Sequence, residues 1–338
     1  MRTSIRPMAV GVAAIVLVLT GCASRPAHAS FDTSLQSTMQ RPIVGPSGLP
    51  SPSGSGSKPT PSASGAPSAS KPKPPAAPAP RTGKPGANNT GVIAGTHLTV
   101  VTGSKTYSGS GQVISGKDFH GYVKVTGSNI TFKNCVFRGG TPSGNNALLN
   151  TEGGTNTIVE DSEFVPLHPA ATIDGVWTKN TKLYRVNIHG SVDGIKAGSN
   201  MLVQDSYIHD MSWFASDPNQ GGGATHNDGV QSFADSSGIT LRHNNIDMST
   251  TKDGNAAWQD ASPNSTVDNN WLDGGGCTLN FNGQGHSLPN VVVTNNRFGR
   301  HSFYQCPILV STTVGLAKNT GNVWVDTGTA IPAPQQHD

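Results

Sequence analysis

Apolar residues recur along this chain in a nine-residue frame rather than at helical spacing. Counted from a turn residue, the frame places one apolar side chain fourth and another ninth, with Asn, Asp or a near equivalent usually sixth. It occurs as NITFKNCVF (129 to 137), NTIVEDSEF (156 to 164), NTKLYRVNI (180 to 188), NMLVQDSYI (200 to 208), GITLRHNNI (238 to 246), NSTVDNNWL (264 to 272) and NVVVTNNRF (290 to 298). Successive starts lie 27, 24, 20, 38, 26 and 26 residues apart. Units this short cannot close a core alone, so they must stack. β-branched segments, glycine turns and the lack of useful amphipathic helices predict an all-β chain. The architecture expected is a single-stranded parallel β-helix, a solenoid of about eight coils, each about 4.8 Å above the last. A β-propeller would need about four strands in 40 or more residues per blade, and most of these intervals are shorter.

A second register lies between the frames. IDGVW (173 to 177), VDGIK (192 to 196) and NDGVQ (227 to 231) share an Asp-Gly core followed by Val or Ile. Stacking predicts one column of Asp174, Asp193 and Asp228 and another of Trp177, Lys196 and Gln231. Each Asp-Gly also reads as a plain turn, with Asp capping it and Gly free to take positive φ. Three stacked carboxylates about 5 Å apart repel unless a proton, a cation such as Ca²⁺, or Lys196 intervenes. His189 and His209 follow their frames directly and are expected as stacked neighbours. Between His209 and His226 lies the longest insertion of the repeat, carrying Trp213 and Phe214, which could stack on sugar rings or cover the coil below. A transition-metal set of His189, His209 and His226 lacks a recognisable ligand spacing.

Composition changes this picture mainly at the N-terminus. Arg2 and Arg6 precede an apolar run from Met8 to Leu19, which predicts a signal peptide over residues 1 to 21. The run ends in LTGC, which resembles the bacterial lipobox; that resemblance implies a lipid on Cys22, a membrane attachment and an extracytoplasmic location. Residues 22 to 90 are dominated by Pro, Ser, Gly, Ala and Lys and read as a disordered tether, leaving 91 to 338 as the β-helix domain. Residues 1 to 90 hold nine of the 23 Lys and Arg but one acid, Asp32. The remainder carries 14 basic and 19 acidic residues, a net charge of −5. The folded part therefore shows no electrostatic footprint for nucleic acid. With Cys22 assigned, Cys277 and Cys306 fall in similar parts of successive repeats and are expected as a disulfide, leaving Cys135 as a buried small hydrophobe.

Through its frames, over about residues 95 to 330, the chain resembles the right-handed parallel β-helix of the pectate-lyase-like superfamily. More narrowly, it is similar to secreted actinobacterial β-helix proteins. The resemblance implies a polysaccharide partner. HNDG (226 to 229) is similar to the Asn-Thr-Asp-Gly of polygalacturonase-like hydrolases, yet their paired aspartates and Gly-His-Gly are missing. GIKAG (194 to 198) lacks the arginine of their Arg-Ile-Lys, and the arginine-rich segment of pectate lyases is missing too. No family's catalytic residues carry over.

Three chemistries remain for a monomeric, extracytoplasmic protein of this kind. A lyase acting on a uronic-acid glycan by β-elimination needs a base, for which Lys196 or His226 is available, and a cation for the enolate. That cation could be Ca²⁺ on Asp174, Asp193 and Asp228. A glycoside hydrolase needs two carboxylates, about 5 Å apart for retention or about 6.5 to 9.5 Å for inversion, which Asp193 with Asp228 and Asp174 with Asp228 would offer. A non-catalytic glycan- or wall-binding module would use the same residues as contacts. The lyase is the leading expectation, with Asp193, Lys196, His226 and Asp228 in catalysis. Trp177, His189, His209, Trp213 and Gln231 are the expected substrate contacts.

Overall fold

The computed structural model describes residues 82 to 337. The signal peptide expected over residues 1 to 21, Cys22 and the tether up to residue 81 lie outside the described residues. Each frame folds as two short strands around a left-handed corner. In the frame starting at Asn129 these strands are Thr131–Lys133 and Val136–Phe137. Frame positions one and six both take positive φ, from Asn129 (55°) and Asn134 (51°) to Asn290 (60°) and Asn295 (58°). Short amide and carboxylate side chains tolerate that conformation better than most, which is why Asn and Asp dominate these positions.

The strands assemble into three parallel sheets. Sheet I collects the first strand of each frame and has nine strands; sheet II collects the second and has ten; sheet III collects the Asp-Gly strands and has ten. The chain runs from I to II to III in each coil, giving a right-handed parallel β-helix. Ten strands in sheets II and III exceed the eight or so coils expected, because two frames escape the Asn pattern and the strands Thr99–Thr102 and Lys105–Tyr107 precede the first frame. GQVISGKDF (111 to 119) carries Gly111 and Gly116 at its two left-handed corners, with φ of 70° and 63°. The last frame holds one extra residue, and its pairing slips where Val291 opposes Leu316 but Val292 opposes Lys318.

The core follows from the frame. Position-four residues Phe132, Val159, Leu183, Val203, Leu241, Val267 and Val293 are all fully buried, as are position-nine residues such as Phe137, Phe164 and Ile188. Each such side chain contributes roughly 1.5 to 3 kcal/mol through burial. Phe119, Phe137 and Phe164 stack on successive coils at 5.2 and 4.6 Å. Position seven was not singled out by the apolar pattern, yet it holds a buried amide ladder. Asn244, Asn270 and Asn296 each donate their main-chain N–H to the side-chain oxygen of the next rung, ending at Asn322, with distances of 2.8, 2.9 and 2.9 Å. Cys135 is buried and is bonded to no other cysteine among the described residues.

At the start of the described residues, Pro85 and Thr90 are buried and the Gly91 N–H donates to the Arg185 carbonyl at 2.9 Å. The described residues before position 91 thus already contact the coils.

Candidate functional site

The connections from sheet II to sheet III decide where polar groups meet. The connection between His209 and Asp228 is the longest insertion, and it includes a short 3-10 turn, Pro218–Gln220. Asn219 on this turn exchanges two side-chain hydrogen bonds with Asn145, at 2.9 and 3.0 Å. Asn145 belongs to the connection three coils earlier, so the loop spans the two connections between. Its far end is pinned by Asn227, fully buried, whose amide donates to the Val192 and Ser212 carbonyls at 2.8 Å each.

On sheet III the two expected columns form. Trp177 opposes Lys196, and Lys196 opposes Gln231. Asp174 is the second residue of the strand Ile173–Thr178, Asp193 lies two residues before the strand Ile195–Ala197, and Asp228 opens the strand Asp228–Ser232; each is at most 4% exposed. The Asp193 N–H donates to Asp174 Oδ1 at 3.4 Å, and the Asp228 N–H donates to Asp193 Oδ1 at 2.8 Å. Each of these two carboxylates therefore caps the coil that follows rather than its own turn, as the Asp-Gly pattern had suggested. The glycines also differ from expectation, since Gly175, Gly194 and Gly229 are absent from the positive-φ residues. A Cβ on Gly194 would lie 2.4 Å from the Gly229 carbonyl oxygen and 2.7 Å from Ile208 Cγ2. Glycine is needed there for close approach between coils and to the core isoleucine.

Lys196 reaches across the aspartates. Its Nζ lies 3.0 Å from Asp174 Oδ2 and 3.5 Å from Asp193 Oδ2, with a quarter of its side chain exposed. Trp177 Nε1 donates to the same Asp174 oxygen at 2.6 Å. Burial works against the lysine's charge, but Asp174 and Asp193 together outweigh it and raise its pKa well above the ordinary lysine range. Burial raises the Asp193 carboxyl to about 7, against the pull of Lys196 and with help from the Asp174 charge. Asp228 is also raised well above its usual range, by burial and then by Asp193, although Asn255 donates to its Oδ1 at 3.0 Å. Asp228 Oδ2 and Gln231 Oε1 are buried without a hydrogen-bond partner.

This arrangement corrects two expectations. Lys196 is unsuited to act as a general base, because Asp174 at 3.0 Å, backed by Asp193 at 3.5 Å, holds its proton. The Ca²⁺ expected on Asp174, Asp193 and Asp228 meets an ammonium already lying against two of the three. Among the described residues no three His, Cys, Asp or Glu side chains converge as a metal would require. These residues fit a lysine-neutralised, proton-sharing set, and no step below is routed through a metal.

The other expected contacts are dispersed. His189 and His209 do stack, with ring centroids 5.1 Å apart, but on sheet II. His189 Nε2 pairs with Glu163 at 2.9 Å, and His209 is held by Asp210 at 2.6 Å and Asn187 at 3.0 Å. Trp213 is half-buried, with the Lys252 ammonium 3.4 Å over its ring. His226 is exposed and is not hydrogen-bonded to Asp193, Lys196 or Asp228. Cys277 and Cys306 are bonded to each other, with Cα atoms 4.7 Å apart. They extend the column that runs from Asp228 through Ala256. Asn255 was missed from the sequence. Its only signal was register, since it stands one coil beyond Asn227 and its N–H donates to the Asn227 carbonyl at 2.7 Å.

No family model and no curated protein matches the chain. Among solved structures it is similar to a mutant of a PL6 family alginate lyase, at 12% identity and a TM-score of 0.33 over 68% of this chain. It is also similar to the Dettilon tailspike protein, at 12% identity and a TM-score of 0.31 over 68% of this chain. The chain spans 38% and 58% of the lengths of those two proteins. Likeness at this level bears on neither substrate nor activity.

Proposed function

We propose that this chain is a cell-surface, lipid-anchored β-helix that binds polysaccharide along sheet III and cleaves a uronic-acid-containing glycan by β-elimination. The observation that carries the reading is Lys196, a half-buried cation flanked by buried carboxyls on the outward side of a rigid sheet. Lys196 would neutralise the substrate carboxylate and the enolate that forms from it. His226, exposed beside the strand, would remove the proton next to that carboxylate. Asp193, whose proton is held up to about pH 7, would protonate the departing oxygen. Trp177 and Gln231, above and below Lys196 in register, would contact the flanking sugars.

A second reading is favoured by one observation, the raised pKa of Asp228 two coils from an Asp174 that is ion-paired to Lys196. A protonated and an ionised carboxyl on one face are what a glycoside hydrolase needs. The test is incubation of the full chain with a panel of uronans and neutral glycans, reading ultraviolet-absorbing unsaturated ends and total reducing ends. Unsaturated ends that vanish in Lys196→Met support the lyase. Reducing ends without unsaturation support the hydrolase. Binding without either product reduces the face to a binding module, and neither product nor binding sinks the polysaccharide reading.

A further inference from the structure

A different face of the solenoid carries a second site. At the corner between sheets I and II a cavity of about 620 Å³ is lined by Gln204, Arg242, His243, Asp268, Trp271 and Arg297, among others. The frame rule breaks here, as it does at Arg185 on an earlier coil. The left-handed position six takes Asn269 and Asn295 on the next two coils, but His243 (φ 52°) on this one. A bulky side chain in that conformation costs about 1 kcal/mol or more relative to a tolerant residue, a cost that tends to persist where it serves a site. His243 Nδ1 is fixed 2.5 Å from the Asp205 carboxylate, itself 1% exposed, which leaves Nε2 as the ring's other polar atom. The imidazole meets the Trp271 indole edge-on at 5.3 Å. Arg297 lies 4.5 Å over that indole and is steadied by Asn269 Oδ1 at 2.9 Å. Arg242 is half exposed and only loosely paired, with its Nε 3.7 Å from Asp268 Oδ2. The other oxygen of Asp268 accepts from Thr294 and Asn295 at 2.8 and 3.0 Å.

Two guanidinium groups, a fixed imidazole, an amide, an indole and the Asp268 carboxylate, held by Thr294 and Asn295, surround a space far larger than a bare oxyanion. From this we propose a binding site for an acidic saccharide of one or two rings, distinct from the aspartate column on sheet III. Its carboxylate or sulfate would lie between Arg242 and Arg297, and a ring would pack against Trp271. Cavities of this volume suit ligands of that size, and guanidinium pairs suit planar oxyanions.

The test titrates the full chain calorimetrically with three probes: a glucuronate disaccharide, the uncharged disaccharide of the same linkage, and inorganic sulfate. The expected result, read in a Lys196→Met background so that sheet III does not contribute, is saturable binding of the acidic disaccharide that weakens about tenfold or more when Arg242→Gln/Arg297→Gln is added. His243→Asn restores the residue of the neighbouring coils, so it should keep or raise the thermal midpoint while weakening binding. Sulfate binding as tightly as the disaccharide would overturn the saccharide assignment. No saturable binding, or binding indifferent to the arginine and histidine substitutions, would overturn the site itself.

Discussion

Asp193 illustrates how one side chain serves the scaffold with one oxygen and faces a half-buried cation with the other. Its Oδ1 accepts the Asp228 N–H, which an asparagine could also do, while its Oδ2 faces Lys196. Its pKa is raised from 3.8 to about 7 in the folded chain. Between those values the folded state holds a proton that the unfolded state has lost, so stability falls as pH rises through this window. The stability contribution is complete below about pH 4 and lost above about pH 7. Asp193→Asn should therefore gain on the parent as pH rises, with the difference in thermal midpoint growing between pH 4 and 7 and then levelling. A difference independent of pH would show that Asp193 does not hold this proton. Asp228 is fully buried and its carboxyl is raised as well, so Asp228→Asn should leave folding close to intact while removing any acid it supplies. The check is product formation set beside the unfolding midpoint. The identity and column of these aspartates were legible from their Asp-Gly spacing. Their proton sharing was not, because it depends on burial and on the reach of Lys196.

Between coils, the strands impose demands that differ from those of isolated turns. Gly194→Ala would drive a methyl into the Gly229 carbonyl and Ile208, and should destabilise by about 3 kcal/mol, read by denaturant unfolding. A neutral result would mean that the coils can separate locally at little cost. In the asparagine ladder, Asn270 accepts from the Asn244 N–H at 2.8 Å and donates to the Leu241 carbonyl at 3.0 Å, fully buried. Asn270→Ala strands both partners and should cost about 2 to 3 kcal/mol. Asn270→Ser should cost less, because Ser162 and Ser206 fill the same position on earlier coils and accept from Cys135 and Val186 at 3.0 and 3.1 Å. Equal losses for the two variants would argue against a ladder. The frame legible in the sequence was built on apolar positions four and nine, which report burial directly. Position seven escaped because a buried asparagine looks like a turn residue until its partners on the next coil are known.

Across the solenoid as a whole, the C-terminal coils are tied by Cys277 and Cys306, 29 residues apart. Opening that link should lower stability by about 3 kcal/mol, measured as the drop in unfolding midpoint for Cys277→Ser/Cys306→Ser. A midpoint unchanged by the substitution would show that strand pairing alone secures these coils. The sequence by itself determined the all-β stacking, the run of coils and the columns of Asp174, Asp193 and Asp228. A repeat places equivalent residues above one another whatever their side chains do. Tertiary structure alone decided which face each column joins. His189 and His209 stack as their spacing implied, yet they belong to sheet II, because each connection turns a corner that periodicity does not encode. It also decided that Lys196 stands among the aspartates, and that Asp205, His243, Trp271 and Arg297 meet at a corner of the coil. Those contacts join residues from different coils through side-chain reach and burial, quantities that arise only once the coils are stacked.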